Sequence, residues 1–352
     1  MDVLISIAAL SLVLGVVVSV HEFGHLIVAK LFGVRVLTFS FGFGKRLIGF
    51  RLGETDYRIS LVPLGGYVSL SGENPGDSSG DDRDFTSKPR WQRVLILFAG
   101  PAMNGILAIV IFSAIFMAVG QTQATHFVVE KIEPDSPASI SDLRIGDKLQ
   151  TAGGRPVGSL KQYLQVIQYI ENNPDSPISL EILRGNEPID IIMTPDNRDG
   201  KGKIGAGFNA SDLRKERLGP ISAFREGTSF TSFFVKLTLE SVGEVILGKR
   251  SAKNSFAGPI GIASMSGSAA SQGIVALLGL TALISISVGL ANLVLPIPIL
   301  DGGKIYILFA EMIRRKDFSA RIQQRLAITG LILIAALFAV VIYIDLMRIM
   351  PF

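Results

Sequence analysis

Four long apolar runs dominate the hydrophobic pattern of this 352-residue chain: Val3 to about Val28, Val94–Gly120, Gly273–Leu295 and Leu326–Met347. Each is long enough for a membrane-crossing helix, which needs about 20 apolar residues. Between the first two runs the period changes. Thr38-Phe-Ser-Phe-Gly-Phe-Gly-Lys45 alternates aromatic with small residues, and Asp56–Val62 alternates polar with apolar. Pro63-Leu-Gly-Gly-Tyr67 then adds turn chemistry, so the pattern predicts strands over Val36–Leu70. Strands so close to a membrane need paired backbone groups, which a β-sheet tucked against the helices provides. Gly72–Ser87, rich in Gly, Ser and Asp, reads as a mobile loop.

After the second run the pattern becomes that of a small soluble α+β domain, Thr125 to about Asn209. Phe127–Ile132 reads as a strand, Asp135-Ser-Pro-Ala138 as a helix start, and Leu143-Arg-Ile-Gly-Asp-Lys-Leu149 as the lead into a second strand. Leu160–Glu171 follows as a helix, Ile178–Arg184 as a strand and Gly185-Asn186 as a turn. The string resembles a PDZ domain of the bacterial protease type. Apolar residues from Phe230 to Ile246 recur at helical spacing within Ser229–Gly248. That amphipathic helix either lies on the outer membrane face or packs on the preceding domain. The resulting division is a first membrane half (1–120, with the sheet at about 36–70), a PDZ domain (121–210), an amphipathic helical segment (211–272) and a second membrane half (273–352).

Composition strengthens the membrane reading. Charged residues make up only 18%, against roughly 25% in soluble domains, and mean hydropathy is +0.45. The first run lacks a basic leader and a small-residue cleavage site, so it reads as a retained span rather than a signal peptide. The net charge of +4 comes from dispersed basic residues, many beside the spans, which does not point to nucleic acid. With no cysteine, disulfides and thiolate ligands are out of reach. Lys30, Arg35, Lys45, Arg46, Arg51 and Arg58 follow the first run, and Arg314, Arg315, Lys316, Arg321 and Arg325 separate the last two. The positive-inside rule makes both loops cytoplasmic and puts the termini and the long 121–272 segment outside.

The end of the first run carries the chemistry. His21-Glu22-Phe23-Gly24-His25 is HExxH. On a helix His21 and His25 share a face and can bind one Zn2+, with Glu22 placed to take a proton from an activated water. Two of the chain's three histidines lie in this motif, and ionisable groups at membrane depth default to function. A catalytic zinc needs a third protein ligand. The remaining histidine, His126, falls at the entrance to the PDZ-like domain, on the other side of the membrane, and reads as a surface residue. A carboxylate is therefore expected, and Asp301 in Asn292-Leu-Val-Leu-Pro-Ile-Pro-Ile-Leu-Asp301-Gly-Gly is at matching depth. Pro296 and Pro298 break the helix just before it.

HExxH on the first span, NxxPxPxLDG, Gly100-Pro-Ala-Met-Asn104 and an inserted PDZ-like domain resemble the site-2 protease family of intramembrane zinc metalloproteases. The FSFGFGK and LVPLGGYV segments are similar to its bacterial regulator-of-sigma-E protease group. The chain differs in having one PDZ-like domain where the best-known members have two. The resemblance implies a polytopic α-helical membrane protein of the bacterial inner membrane, with four transmembrane helices, a membrane-associated β-sheet and an extracytoplasmic PDZ domain. It implies His21, His25 and Asp301 as zinc ligands, Glu22 as base and Asn292 as a substrate or oxyanion contact. It further implies cleavage of single-span membrane proteins, such as an anti-sigma factor after a first cut, or remnant signal peptides. An unwound substrate adding as a strand to the 36–70 sheet would find close backbone approach at Gly65 and Gly66. The competing class is a zinc transporter or a PDZ-bearing membrane scaffold without enzymatic activity. A transporter lines a path at several depths, whereas the candidate ligands here share one level and leave Glu22 surplus.

Overall fold

The computed structural model describes residues 3–73, 77, 80–198, 200–248 and 258–349; side chains of 122–126, 212–215, 246 and 348–349 lie outside that description. In chain order the elements are α1 (Val3–Leu31), β1 (Val36–Leu52), β2 (Thr55–Leu70), α2 (Arg90–Ala118), β3 (Gln121–Ile132), α3 (Pro137–Ile140), β4 (Lys148–Ala152), β5 (Arg155–Pro156) and α4 (Leu160–Glu171). They continue with β6 (Ile178–Arg184), β7 (Glu187–Met193), β8 (Asp196–Arg198), β9 (Lys201–Lys203) and β10 (Ala206–Glu216). The last are α5 (Pro220–Ile246), α6 (Pro259–Gln272), α7 (Ile274–Val294), α8 (Asp301–Arg314) and α9 (Ala320–Ile349). Contacts divide the chain into two compact units, Met1–Ser113 with Gly227–Leu239 and Phe256–Phe352, and Ala114–Glu226 with Glu240–Ser255.

The first unit is built from apolar helices. Among the described residues α1, α2, α7 and Ala320–Met347 of α9 are long and apolar enough to cross a membrane. These are the four predicted runs, and the chain is an integral membrane protein. One face of α1 packs Val13 and Val17 against Ala269 of α6 and Leu280 and Ile284 of α7. Further along, Leu26 and Ala29 join Val36, Leu70, Ile96, Leu97, Ile305 and Leu308. Gly24 lets α1 cross α2 at backbone distance, because a Cβ there would strike the Ala99 carbonyl. At the start of α6 the buried Asp345 carboxylate of α9 accepts from the N–H groups of Gly258 (3.0 Å), Ile260 (2.9 Å) and Gly261 (3.1 Å). That satisfies donors which a helix start leaves without intrahelical partners.

β1 and β2 form the expected sheet, an antiparallel hairpin running from Val36↔Leu70 to Leu52↔Thr55 with repeated register shifts. Its base packs on α1. Its far end exposes Leu47, Ile48, Phe50, Leu52, Ile59 and Leu61, an apolar surface suited to lipid. Of the predicted Gly72–Ser87 loop, residues 74–76 and 78–79 lie outside the described residues; Phe85–Ser87 is a short 3-10 turn. Two elements escaped the periodicity argument. α6 is made largely of Gly, Ala and Ser with no apolar stripe, and α8 begins directly after the proline break. The Ser229–Gly248 helix starts earlier than the spacing suggests, at Pro220, where proline occupies the first turn.

The second unit centres on a sheet ordered β10-β3-β4-β6-β7, with β5 on β4. Phe127, Val129, Leu149, Val166, Ile178, Leu180 and Ile182 fill its core. A Ser136–Ser139 capping box opens α3, and Ser159 caps α4. The Gly-Asp string of the sequence has a structural task here. The Asp147 carboxylate, 2% exposed, receives both arms of Arg184 at 2.9 Å and the Arg144 N–H at 2.7 Å.

Candidate metal centre

Two buried imidazoles four residues apart on α1 face the N-terminus of α8. His25 is oriented by Ile96 of α2: its Nδ1 lies 2.7 Å from the Ile96 carbonyl. A carbonyl only accepts, so Nδ1 carries the proton and Nε2 keeps its lone pair. Asp301 Oδ2 lies 2.8 Å from His21 Nε2 and 3.4 Å from His25 Nε2. One ligand atom from each of the three residues falls within 4.8 Å of the others. The setting suits a cation. The donors are nitrogen and oxygen, as zinc prefers, and the space beside them is kept clear by Gly100. A Cβ at that position would stand closer than 3.0 Å to Nε2 of both histidines.

Asp301 reaches the histidines because of how its own segment turns. Pro296 and Pro298 end α7, and the chain re-enters a helix at Asp301 itself, the first residue of α8. Gly302 and Gly303 allow this sharp return, since Cβ atoms there would overlap the Leu293 and Ile297 carbonyls. Asn292, in the last turn of α7, places its side-chain nitrogen 3.4 Å from His21 Nε2. Glu22 points elsewhere: its Oε2 accepts the backbone N–H of Val68 in β2 at 3.0 Å. His21, Glu22, His25, Asn292 and Asp301 nonetheless line one cavity of about 240 Å³, together with Tyr67 and Val68.

Gly65 and Gly66 sit just before that stretch and are buried. The close approach they permit is to the chain itself. Cβ atoms there would meet the Phe43 ring at 2.8 Å and the Ser40 carbonyl at 2.5 Å, and Gly65 has a φ of +133° that favours glycine. The His126 side chain lies outside the described residues.

Four residues at or beside the cavity were not legible as such. Val68 acts through its backbone N–H, which carries no sequence signal. Gly100 and Asn104 belong to the GPxxN string, but only the fold shows that they touch the imidazoles. Lys304, one turn after Asp301, pairs with Glu73 at 2.7 Å along the cavity wall. Burial works against its ammonium form, and the Glu73 carboxylate more than offsets this, holding its pKa above the usual lysine value.

Comparison with known proteins bears on this geometry. Peptidase family M50 matches residues 9–337. A protein named as a zinc metalloprotease from Rhizobium meliloti is 36% identical, covering 86% of this chain and 85% of the relative. Another so named, from Clostridium perfringens, is 32% identical over 92% of this chain and 93% of the relative. The regulator of sigma-E protease RseP of Salmonella typhimurium is 29% identical over 99% of this chain and all of its own.

Proposed function

Because the chain belongs to peptidase family M50 and is a zinc metalloprotease, we propose that it cuts single-span membrane proteins at the His21–His25–Asp301 cluster, with these three residues holding the zinc. The observation that carries this reading is the position of Glu22. A carboxylate beside the ligand cluster, at the end of a membrane-length helix, lines the same cavity without joining the cluster. Bound zinc supplies Lewis-acid chemistry, activating water and polarising a carbonyl. Glu22 takes the proton of the attacking water and delivers it to the leaving amine. Asn292 points its amide at the same space and donates to the oxyanion.

The substrate must be unwound before its backbone can be reached. The open edge of β2 offers it a strand partner, and the Val68–Glu22 hydrogen bond puts the base beside that edge. Gly65 and Gly66 shape the edge by letting β2 press close to β1. The 121–210 region acts as a single PDZ domain outside the inner membrane, with both termini on that side and the active site towards the cytoplasm. The substrate class that fits is a trimmed single-span protein, such as an anti-sigma factor or a remnant signal peptide.

The test is Glu22→Gln in purified protein offered single-span substrates in lipid. Zinc content stays at wild-type level, and cleavage falls by about a hundredfold or more. Equal cleavage by the two proteins would remove the reaction from this site.

A further inference from the structure

The mechanism uses Nε2 of both histidines, and each ring must be held so that this atom carries a lone pair. For His25 the Ile96 carbonyl does so. Among the described residues no backbone carbonyl reaches His21 Nδ1. Its neighbour is the side-chain amide of Asn104 on α2, 3.2 Å away. Asn104 is fully buried, and its Oδ1 has no hydrogen-bond partner among the described residues. The oxygen and nitrogen of an amide exchange places by a half-turn about the last torsion, with almost no change of shape. With nitrogen facing Nδ1, the ring proton is forced onto Nε2, where no metal can bind. With oxygen facing it, Nδ1 donates and Nε2 is free.

We propose that Asn104 is the positioning residue of His21: its carbonyl oxygen accepts the Nδ1–H, fixing the tautomer that presents Nε2 to the metal. The surroundings of Asn104 agree with a seat built for orientation. Its backbone carbonyl accepts from Ser285 Oγ at 2.9 Å. Gly289 admits the side chain, since a Cβ there would lie 3.0 Å from Asn104 Cβ. Ser285, Gly289 and Asn292 follow at helical spacing on one face of α7. That face therefore reaches His21 at Nδ1 through Asn104, leaving Nε2 to the metal.

This inference rests on His21 being a zinc ligand, and the experiment separates the two. Zinc affinity is measured by chelator competition on full-length protein in detergent, for Asn104→Leu, Asn104→Ala, Asn104→Asp and His21→Ala. Leucine fills the site but cannot accept, and alanine covers the case in which leucine fails to fold. Both weaken zinc binding by about 10- to 100-fold, the usual scale for losing an outer-shell partner. Aspartate has no donor, so it holds the required tautomer, and its affinity stays within a few-fold of wild type. A purely structural role would not distinguish aspartate from alanine. Wild-type affinity in Asn104→Ala, or a loss in Asn104→Asp as large as in Asn104→Ala, overturns the proposal. Wild-type affinity in His21→Ala overturns the ligand assignment beneath it instead.

Discussion

At residue 100 a methyl group has nowhere to go. The two imidazoles it would meet are held from behind, His25 by the Ile96 carbonyl and His21 beside Asn104. Neither ring can retreat without giving up that hold. Gly100→Ala is therefore expected to cut zinc content at least tenfold, with a stability loss of about 1–3 kcal/mol from overpacking. Metal analysis and thermal unfolding of the purified variant check this. Gly105→Ala on the same helix is the control: a Cβ there meets nothing within 4 Å, so zinc content stays unchanged and stability does not fall. At this scale the meeting of His21, His25 and Asp301 was readable because HExxH has fixed helical spacing and few carboxylates share its depth. Asn104 and Gly100 matter through distances that only the crossing of α1 and α2 creates.

Among the elements, the apolar runs announced themselves by length and the 36–70 stretch by alternation, whereas α6 has no apolar stripe and α8 starts directly after a proline break. The Asp147–Arg184 pair shows how a recognisable string can be structural. Burial pushes the Asp147 carboxyl up, but the Arg184 fork and the Arg144 N–H outweigh it, leaving its pKa below the ordinary carboxylate value. A depressed folded-state pKa adds stability above the unfolded value of about 3.9. That stability is lost as pH falls through the lower folded value. Protection of the β4 and β6 amides, relative to their intrinsic exchange rates, should thus hold in the full chain from pH 7 to about pH 4 and fall below it. Arg184→Met removes one partner of a buried charge and should destabilise β4 and β6 at neutral pH. Unchanged protection in that variant would deny the pair its role in joining the two strands.

For the molecule as a whole, the 121–210 domain proposed above makes a prediction about substrate choice. The paired ends of β3 and β10, Ala124↔Leu213 through Gln121↔Glu216, show how to remove it. Joining Ala124 to Leu213 by an Asn-Gly turn leaves a short closed hairpin. If the domain is a size filter, the shortened protein cuts substrates that still carry their outer domains. If it grips a trimmed C-terminus, the shortened protein stops cutting trimmed ones. Gel assays with both substrate forms tell these apart, and intact untrimmed substrate beside active cleavage of trimmed substrate defeats the filter. The strands β3, β4 and β6 and the helix α4 were legible from their signals, while β10, rich in polar residues, was not. One last consequence concerns manufacture rather than catalysis. His21 and Asp301 stand 280 residues apart in the chain, so at 5–20 residues per second the ribosome needs roughly 14–56 s to supply the second after the first. Throughout that interval the growing protein holds His21 and His25 without Asp301. If Asp301 completes the zinc site as proposed, the nascent chain cannot cut its neighbours before that residue is made.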